Sequence, residues 1–451
     1  MEFRTFRNTE QNTDLILKSI PSDPMLDLHQ PNFQQKCFVF TDIELTDISG
    51  KYPPESDNRK IGNGSISTYS KTLPKNKKSK TKWKGKKIAT TVAGILLLLL
   101  IGAGVPFALQ LRSSSLLEAR LTFIKRLLSE IPLVEGYWSP ENLTTSLSAI
   151  KEGLVGALLW SVDIPCGAQH LDAVQRALEG VDAAKNTAKH HESLVIVDKA
   201  LDMEKAHSDG FVSVILGIKG GHALGASLAV LRSLYHLGVR FVSLTQEGCS
   251  TPWATASKFY EMESHPEQDI ELDGITLFGQ SMISEMNRLG VLLEVSGASE
   301  LAMKQALTVS RAPCLLANSS PLALCNDTSA ISDDILTSLP QNGGIIMVNV
   351  DHCKNQQLTR KDAISYINHV RNMAGVDHIG LSGATSNYPH LLAELARDRL
   401  WGNIAIKKLV GGNLVRVLKE VEAVRDKVPI NEEWVPEEAI EGHSYCRYPV
   451  V

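Results

Sequence analysis

Several common functional signatures are absent from this 451-residue sequence, and each absence disfavours a class of protein. No Gly-x-Gly-x-x-Gly fingerprint follows the first strand candidate, which disfavours a dinucleotide-binding open sheet. No Gly-x-Ser-x-Gly elbow is present, so a hydrolase with a Ser-His-Asp triad is not supported. The formal net charge of −4 argues against a nucleic-acid-binding role for the whole chain. The last residues are not hydrophobic, so we expect no glycolipid-anchor signal.

Only one long hydrophobic run is present, residues 88–109, and its length matches the roughly 20 residues that cross a bilayer. Nine lysines lie between Lys71 and Lys87, whereas only Arg112 follows the run closely. This asymmetry predicts a cytosolic amino terminus and a single-pass type II membrane protein whose main part is extracellular or lumenal. A cleavable signal peptide is disfavoured because the run begins too far along the chain. A buried core helix is disfavoured because the run has no polar face.

The segments that flank this run differ from it in composition. Residues 1–74 are polar with few apolar clusters, which predicts a disordered cytosolic tail. Residues 75–87 are rich in lysine, and we expect them to lie against anionic lipid; a nuclear-localisation signal is the disfavoured alternative. Residues 431–451 form a carboxyl-terminal tail.

Between these segments, residues 115–430 alternate apolar strand candidates with amphipathic helical stretches. Residues 218–222 lie at the end of one strand, before a helix and a further strand, as in a parallel βαβ unit. Eight such strands predict a (β/α)8 barrel of the TIM type, with a doubly wound open sheet as the alternative. The strand candidates are residues 133–138, 155–164, 212–218, 239–245, 291–296, 313–317, 344–350 and 378–383.

Six of the seven cysteines follow the predicted span, where an oxidising compartment favours pairing. Four of them follow predicted strands and should share one face of the barrel: Cys166, Cys249, Cys325 and Cys353. Cys314 lies inside a strand candidate and is expected to be a buried free thiol. Cys446 is left over in the tail, and an unpaired external cysteine suggests an interchain bond.

Four Asn-x-Ser/Thr sequons are present. Asn63 lies in the predicted cytosolic tail, and Asn318 ends a strand inside the barrel mouth, so neither is expected to carry a glycan. Asn142 and Asn326 are the predicted glycosylation sites.

A series of short motifs, in the same order over residues 120–430, resembles the membrane (renal) dipeptidases, zinc peptidases of family M19. The motifs include Gly220-Gly221-His222, Thr251-Pro252-Trp253-Ala254, Phe278-Gly279, Ser310-Arg311-Ala312-Pro313 and Asn342-Gly343-Gly344. The resemblance implies a (β/α)8 barrel that holds two zinc ions at its mouth and hydrolyses dipeptides. It also implies disulfides Cys166–Cys249 and Cys325–Cys353, and a link between two subunits through Cys446.

The positions that match the family's zinc ligands hold other residues. A His-x-Asp pair corresponds to Tyr137 and Ser139, the bridging glutamate to Lys219, and two single histidines to Gly297 and Asn318. A binuclear site needs several anionic or imidazole donors, and a lysine ammonium would repel both cations. We therefore expect no metal and no other cofactor, unless a non-standard zinc site has replaced the original one.

Positions that handle substrate in the family are altered too, since they match Gln246 or Glu247, Ser329, Ala384 and Ser386. The sequence thus predicts a vestigial pocket that contains His222, Gln246, Ser329, Asp351 and Ala384. A replacement metal site built from His222, Asp351, His352 and His378 is the less favoured alternative.

Two interpretations of Lys219 stay open. Its ammonium pairs with Glu135 or Glu294 on nearby strands, or it reaches solvent at an open barrel mouth. In either case the sequence predicts a membrane-anchored, dipeptidase-like protein without catalytic activity. It would act as a disulfide-linked homodimer that binds a small peptide or a protein at the cell surface or in the secretory pathway. The alternatives are a functional metallo-dipeptidase with a non-standard zinc site and, less favoured, a non-metal hydrolase.

Overall fold

The computed structural model describes residues 92–95, 105–139, 143–169, 171–257, 274–327, 329–354, 356–383 and 386–428. All of them belong to the second of two compact units, Thr81–Val451. The predicted cytosolic tail, lysine-rich segment and carboxyl-terminal tail lie outside the described residues, as do Asn63, Asn142, Ala384 and Cys446.

Eight parallel strands form one nearly closed barrel, as predicted, and each pairs with its neighbour in chain order. They are β1 Leu133–Trp138, β2 Val155–Asp163, β3 Val212–Lys219, β4 Val239–Ser243, β5 Leu292–Glu294, β6 Cys314–Ser319, β7 Ile345–Asn349 and β8 Ile379–Ser382. The strand β5 is shorter than predicted because the chain turns after Val295, whose N–H still donates to Leu315 O at 2.9 Å. Three short strands were not predicted: Leu194–Ile196 beside β3, and the hairpin of His352–Cys353 and Gln356–Gln357.

Helices alternate with the strands. The α-helices are Val105–Glu130, Leu143–Glu152, Ala173–His190, Ala200–Ser208, Leu228–His236, Leu277–Leu289, Glu300–Val309, Asp333–Asn342, Arg360–Ala374, Tyr388–Leu395, Asn403–Lys407 and Asn413–Asp426, with a π-helical turn at Lys408–Gly412. The first of these, Val105–Glu130, includes the last residues of the predicted membrane span. None of the helices in the described part of the chain is both long and apolar enough to cross a membrane, and most of residues 88–109 lies outside that part.

One aromatic ring lies on the inner side of the barrel below its mouth. Phe241, on β4, is 3% exposed, and its ring packs over Gly217, its register partner on the neighbouring strand β3. A Cβ atom at Gly217 would lie 2.2 Å from the Phe241 ring, so only glycine allows the ring to lie there. Phe241 also lines the space that remains at the carboxyl ends of the strands.

The cysteines behave as predicted where the structure describes them. Cys166 is bonded to Cys249, and Cys325 is bonded to Cys353. Cys314 is a buried free thiol, and burial raises its pKa to about 12. Both disulfides tie together loops at the carboxyl ends of the strands, which fixes the rim of the barrel mouth.

Candidate functional site at the barrel mouth

A cavity of about 150 Å³ lies at the carboxyl ends of the strands, above Phe241. Four of the five positions that match lost zinc ligands line it: Tyr137, Lys219, Gly297 and Asn318. The fifth, Ser139, is exposed and bonds to Tyr137 through its side chain. The fold thus brings these positions together in space. Whether they can bind metal depends on the chemistry of their side chains.

Lys219 and Tyr137 contact each other through a cation–π interaction. The Lys219 Nζ lies over the Tyr137 ring, 4.5 Å from its centroid. The Tyr137 hydroxyl donates a short hydrogen bond to Asp163 Oδ2. Burial, together with the nearby Asp163 carboxylate, raises the pKa of Tyr137 well above its usual range. The tyrosine is therefore neutral and joins β1, β2 and β3 at the pocket wall.

The predicted pairing of Lys219 with Glu135 or Glu294 is wrong: in the described structure no salt bridge joins Lys219 to either residue. Glu135 is 1% exposed and accepts hydrogen bonds from Tyr388 Oη at 2.7 Å, Ser382 Oγ at 2.9 Å and the Gly383 N–H at 2.9 Å. These donors satisfy Glu135, although burial raises its pKa. Nor does the ammonium simply extend into solvent, since Lys219 is partly buried against Tyr137.

Backbone atoms of a neighbouring loop fill the space that a side chain at Gly297 would occupy. A Cβ atom at this position would lie 2.8 Å from Glu247 N and 3.0 Å from Gln246 C. The Gly297 carbonyl also accepts the Ser257 N–H at 3.0 Å, which holds the opposite side of the segment in place. Because backbone atoms cannot rotate out of the way as a side chain can, a histidine does not fit here without moving the loop that follows β4.

Asn318 is held in a conformation that differs from the rest of its strand. Its φ of +46° lies in the left-handed region, which asparagine tolerates better than most residues. The Ser382 Oγ lies 3.0 Å from Asn318 Oδ1 and 2.9 Å from Glu135 Oε1, so its single hydroxyl proton is shared between these two acceptors. The side-chain oxygen of Asn318 is thus engaged in the network around Glu135.

The predicted vestigial-pocket residues are only partly brought together. Ser329 lines the cavity, whereas His222, Gln246 and Asp351 do not. His222 is fully buried, with Nε2 3.1 Å from Ile164 O and Nδ1 3.6 Å from the Sγ of Cys249. Burial lowers its pKa, so it is a neutral core residue beneath the disulfide.

The alternative metal set of His222, Asp351, His352 and His378 is likewise dispersed. Asp351 pairs with His352 at 2.8 Å, and only His352 lines the cavity. His378 precedes β8, at the opposite end of the barrel, where Nδ1 lies 2.7 Å from Gly344 O. Within the described ranges, no three His, Cys, Asp or Glu side chains are grouped so that they could hold a metal ion. The residues at the mouth therefore do not fit a zinc pair.

Several residues at the cavity were not predicted as site residues. Ser161 on β2 and Ser243 on β4 line it. Asp163, which bonds to the Tyr137 hydroxyl, follows Ser161 by two positions on the same strand. Asp163 is the register partner of Lys219 across β2 and β3. The period of two along β2 places Ser161 and Asp163 on one face, so the strand pattern contained the information needed to find them.

The membrane dipeptidase family (Peptidase family M19) has a sequence model that matches residues 112–432. The chain belongs to this family. The resemblance seen in the sequence is thereby confirmed, together with the barrel that it implied.

Curated relatives of this M19 chain are dipeptidase 3 from Rattus norvegicus, 37% identical over 299 residues, and dipeptidase 3 from Homo sapiens, 35% identical over 300 residues. The match covers 63% of this chain in both cases and 59% of each relative, so the chain spans less than two thirds of their length.

Two solved structures share the fold. The probable dipeptidase PvdM from Pseudomonas aeruginosa superposes with a TM-score of 0.60 at 17% identity, covering 68% of this chain and 99% of that one. A metallo peptidase from Rhodobacter sphaeroides, liganded with a phosphinate mimic of L-Ala-D-Ala, gives 0.56 at 18% identity, covering 65% and 99%. At these identities the similarity establishes the fold alone.

Proposed function

We propose that this M19 chain is a catalytically inactive, membrane-anchored member of the family that acts by binding. The observation that carries the proposal is Lys219, whose ammonium lies over Tyr137 where the resemblance places a metal-bridging carboxylate. A fixed cation at the centre of the mouth opposes the binding of two divalent cations, because like charges repel strongly in a partly enclosed site.

The geometry around Gly297 supports the same proposal independently. Backbone atoms of Gln246 and Glu247 lie within about 3 Å of the position that a histidine Cβ would need. A protein that has lost one zinc ligand can keep a weakened zinc site. Here the backbone also blocks one of the ligand positions, Gly297, to a larger side chain.

We further propose that residues 88–109 anchor the protein, that Cys446 links two copies, and that Asn142 and Asn326 carry glycans. Support for the glycan at Asn326 comes from its exposure at the barrel rim, in contrast to Asn318, which is partly buried in the cavity wall. A barrel held at a membrane as a dimer suits a binding role at the cell surface or in the secretory pathway, toward a small peptide or a protein.

The experiment is a peptidase assay on the detergent-solubilised full-length protein with Ala-Ala as substrate and zinc added in excess. We expect no hydrolysis above that of a buffer control. The second candidate, a working metallo-dipeptidase with a non-standard site, is favoured by the name dipeptidase 3 that the relatives carry. Zinc-dependent hydrolysis that is lost on chelation would establish this candidate and reject the proposal.

A further inference from the structure

The floor of the mouth cavity carries buried hydroxyl groups with no partner. Ser161 is 2% exposed and Ser243 is 1% exposed, and both line the cavity. Among the described residues, neither hydroxyl makes a hydrogen bond. Because both residues line the cavity, these two hydroxyls are available to something that enters it.

Glu294 adds a carboxylate to the lining of the same cavity. It is 2% exposed, and its Oε1 accepts the Ser296 N–H at 2.7 Å and the Ala317 N–H at 3.3 Å. Within the described part of the chain, its Oε2 has no partner. A carboxylate that lines an enclosed cavity is paired most strongly by a charged donor.

Lys219 supplies the opposite charge, two strands away from Glu294 around the barrel. Its ammonium has three donors, and in the described structure it contacts the Tyr137 ring but forms no salt bridge. Lys219 ends β3 and Glu294 ends β5, so the two backbones are separated by two strand spacings, about 10 Å. That gap leaves room for a small molecule between the two charges.

The two serines flank the strand that carries Lys219. Ser243 lies on β4, between the two charges: it is the register partner of Glu294, and it follows Val242, the register partner of Ile218. Ser161 lies on β2, two positions before Asp163, the register partner of Lys219. The cavity therefore offers a carboxylate, an ammonium and two hydroxyls on four consecutive strands.

We infer that the cavity binds a single small α-amino acid as a zwitterion. The ligand ammonium would bind Glu294 and Ser243, and the ligand carboxylate would bind Lys219 and Ser161. The volume of about 150 Å³ is below the range of about 300–1,000 Å³ of sites for drug-sized ligands, which favours one amino acid over a peptide. A simple anion would meet Glu294, and a simple cation would meet Lys219, so neither matches both walls. The inference rests on the proposed absence of the metal pair.

The test is isothermal titration calorimetry on the full-length protein in detergent with four probes: glycine, L-serine, L-serinamide, which lacks the carboxylate, and N-acetyl-L-serine, which lacks the ammonium. We expect saturable binding of glycine and L-serine, and binding at least about tenfold weaker for each singly charged probe. Glu294→Gln should weaken L-serine binding about tenfold but should not weaken binding of the anion N-acetyl-L-serine. Lys219→Met should weaken L-serine binding about tenfold but should not weaken binding of the cation L-serinamide.

Lys304→Met is the matched control, because Lys304 pairs with Glu300 on the surface and should leave all four affinities unchanged. Thermal unfolding of each variant establishes that it is folded. The inference is overturned if no probe binds saturably or if L-serine binding is insensitive to both pocket substitutions. It is also overturned if the dipeptide Gly-Ser, titrated as a fifth probe, binds more tightly than L-serine. Zinc-dependent hydrolysis would instead reject the proposed function, so the two failures are distinguishable.

Discussion

The Lys219 ammonium lies 4.5 Å from the centroid of the Tyr137 ring, with no carboxylate joined to it by a salt bridge in the described structure. The resemblance places metal ligands at both positions, and here the two side chains contact each other instead. Tyr137 is fixed from its other end by Asp163, which accepts a hydrogen bond from its hydroxyl. The Lys219 side chain thus brings a positive charge to the mouth.

Removing the Tyr137 hydroxyl should weaken the pocket wall modestly. Tyr137→Phe keeps the ring under Lys219 but loses the hydrogen bond to Asp163, which lies at an exposed position. We expect a loss of about 0.5–1.5 kcal/mol in the free energy of unfolding, measured by urea denaturation at neutral pH. Tyr366→Phe is the control, because that hydroxyl donates to Leu324 O at 3.3 Å and should contribute less. Equal losses in the two variants would contradict the account.

A histidine at position 297 should lower the stability of the fold and should not restore zinc binding. Gly297→His places a Cβ about 3 Å or less from the Gln246–Glu247 backbone, and such overpacking costs typically about 1–3 kcal/mol. We expect a lower midpoint of thermal unfolding and no gain in zinc affinity.

Gly167→Ala is the matched control for that substitution, because a Cβ at Gly167 meets nothing within 4 Å. Its unfolding midpoint should equal that of the wild type. A Gly297→His protein as stable as the wild type would show that the loop after β4 moves aside easily, contrary to the structure.

Much of this architecture was predictable, because the spacing of apolar residues along the sequence differs between strands and helices. The strand β3 was predicted as 212–218 and observed as Val212–Lys219. The contacts of Lys219 were not predictable. A charged side chain on one strand can reach several neighbours, and the choice of Tyr137 over Glu135 depends on Glu135 being satisfied by Tyr388, 253 residues away in sequence.

Glu135 should make stability depend on pH. Its pKa is raised by burial, so above about pH 4.3 the unfolded chain releases this proton before the folded chain does. The contribution of Glu135 to stability is therefore present in acid and lost as pH rises through the folded-state pKa. Unfolding midpoints in urea from pH 4 to pH 7 should show the wild type losing stability relative to Glu135→Gln as pH rises.

Glu285 is the control for this pH series, since its pKa shifts the other way. Burial alone would raise that pKa, but hydrogen bonds from Arg288 at 2.7 Å and Arg232 at 2.6 Å outweigh it and lower the pKa. Its contribution is present above about pH 4.3 and lost as pH falls. Relative to Glu285→Gln, the wild type should therefore gain stability as pH rises. Parallel curves for the two variants would refute the assignment.

The proposed link between subunits depends on Cys446. Cys314 is buried and the other described cysteines are paired, so Cys446 is the external cysteine left for an interchain bond. Non-reducing electrophoresis should show the full-length protein at twice the monomer mass and Cys446→Ser at the monomer mass. Cys314→Ser should migrate as the wild type does. Identical mobility of Cys446→Ser and wild type would reject the link.

The most direct measurement is the zinc content of the full-length protein, purified in detergent, equilibrated with zinc and freed of unbound metal. Inductively coupled plasma mass spectrometry gives the molar ratio, and Lys219→Met shows whether the ammonium alone keeps metal out. The account predicts a ratio near zero for the wild type and for this variant, because Gly297 stays closed and the other donors are missing. Two zinc ions per chain in the wild type would contradict it.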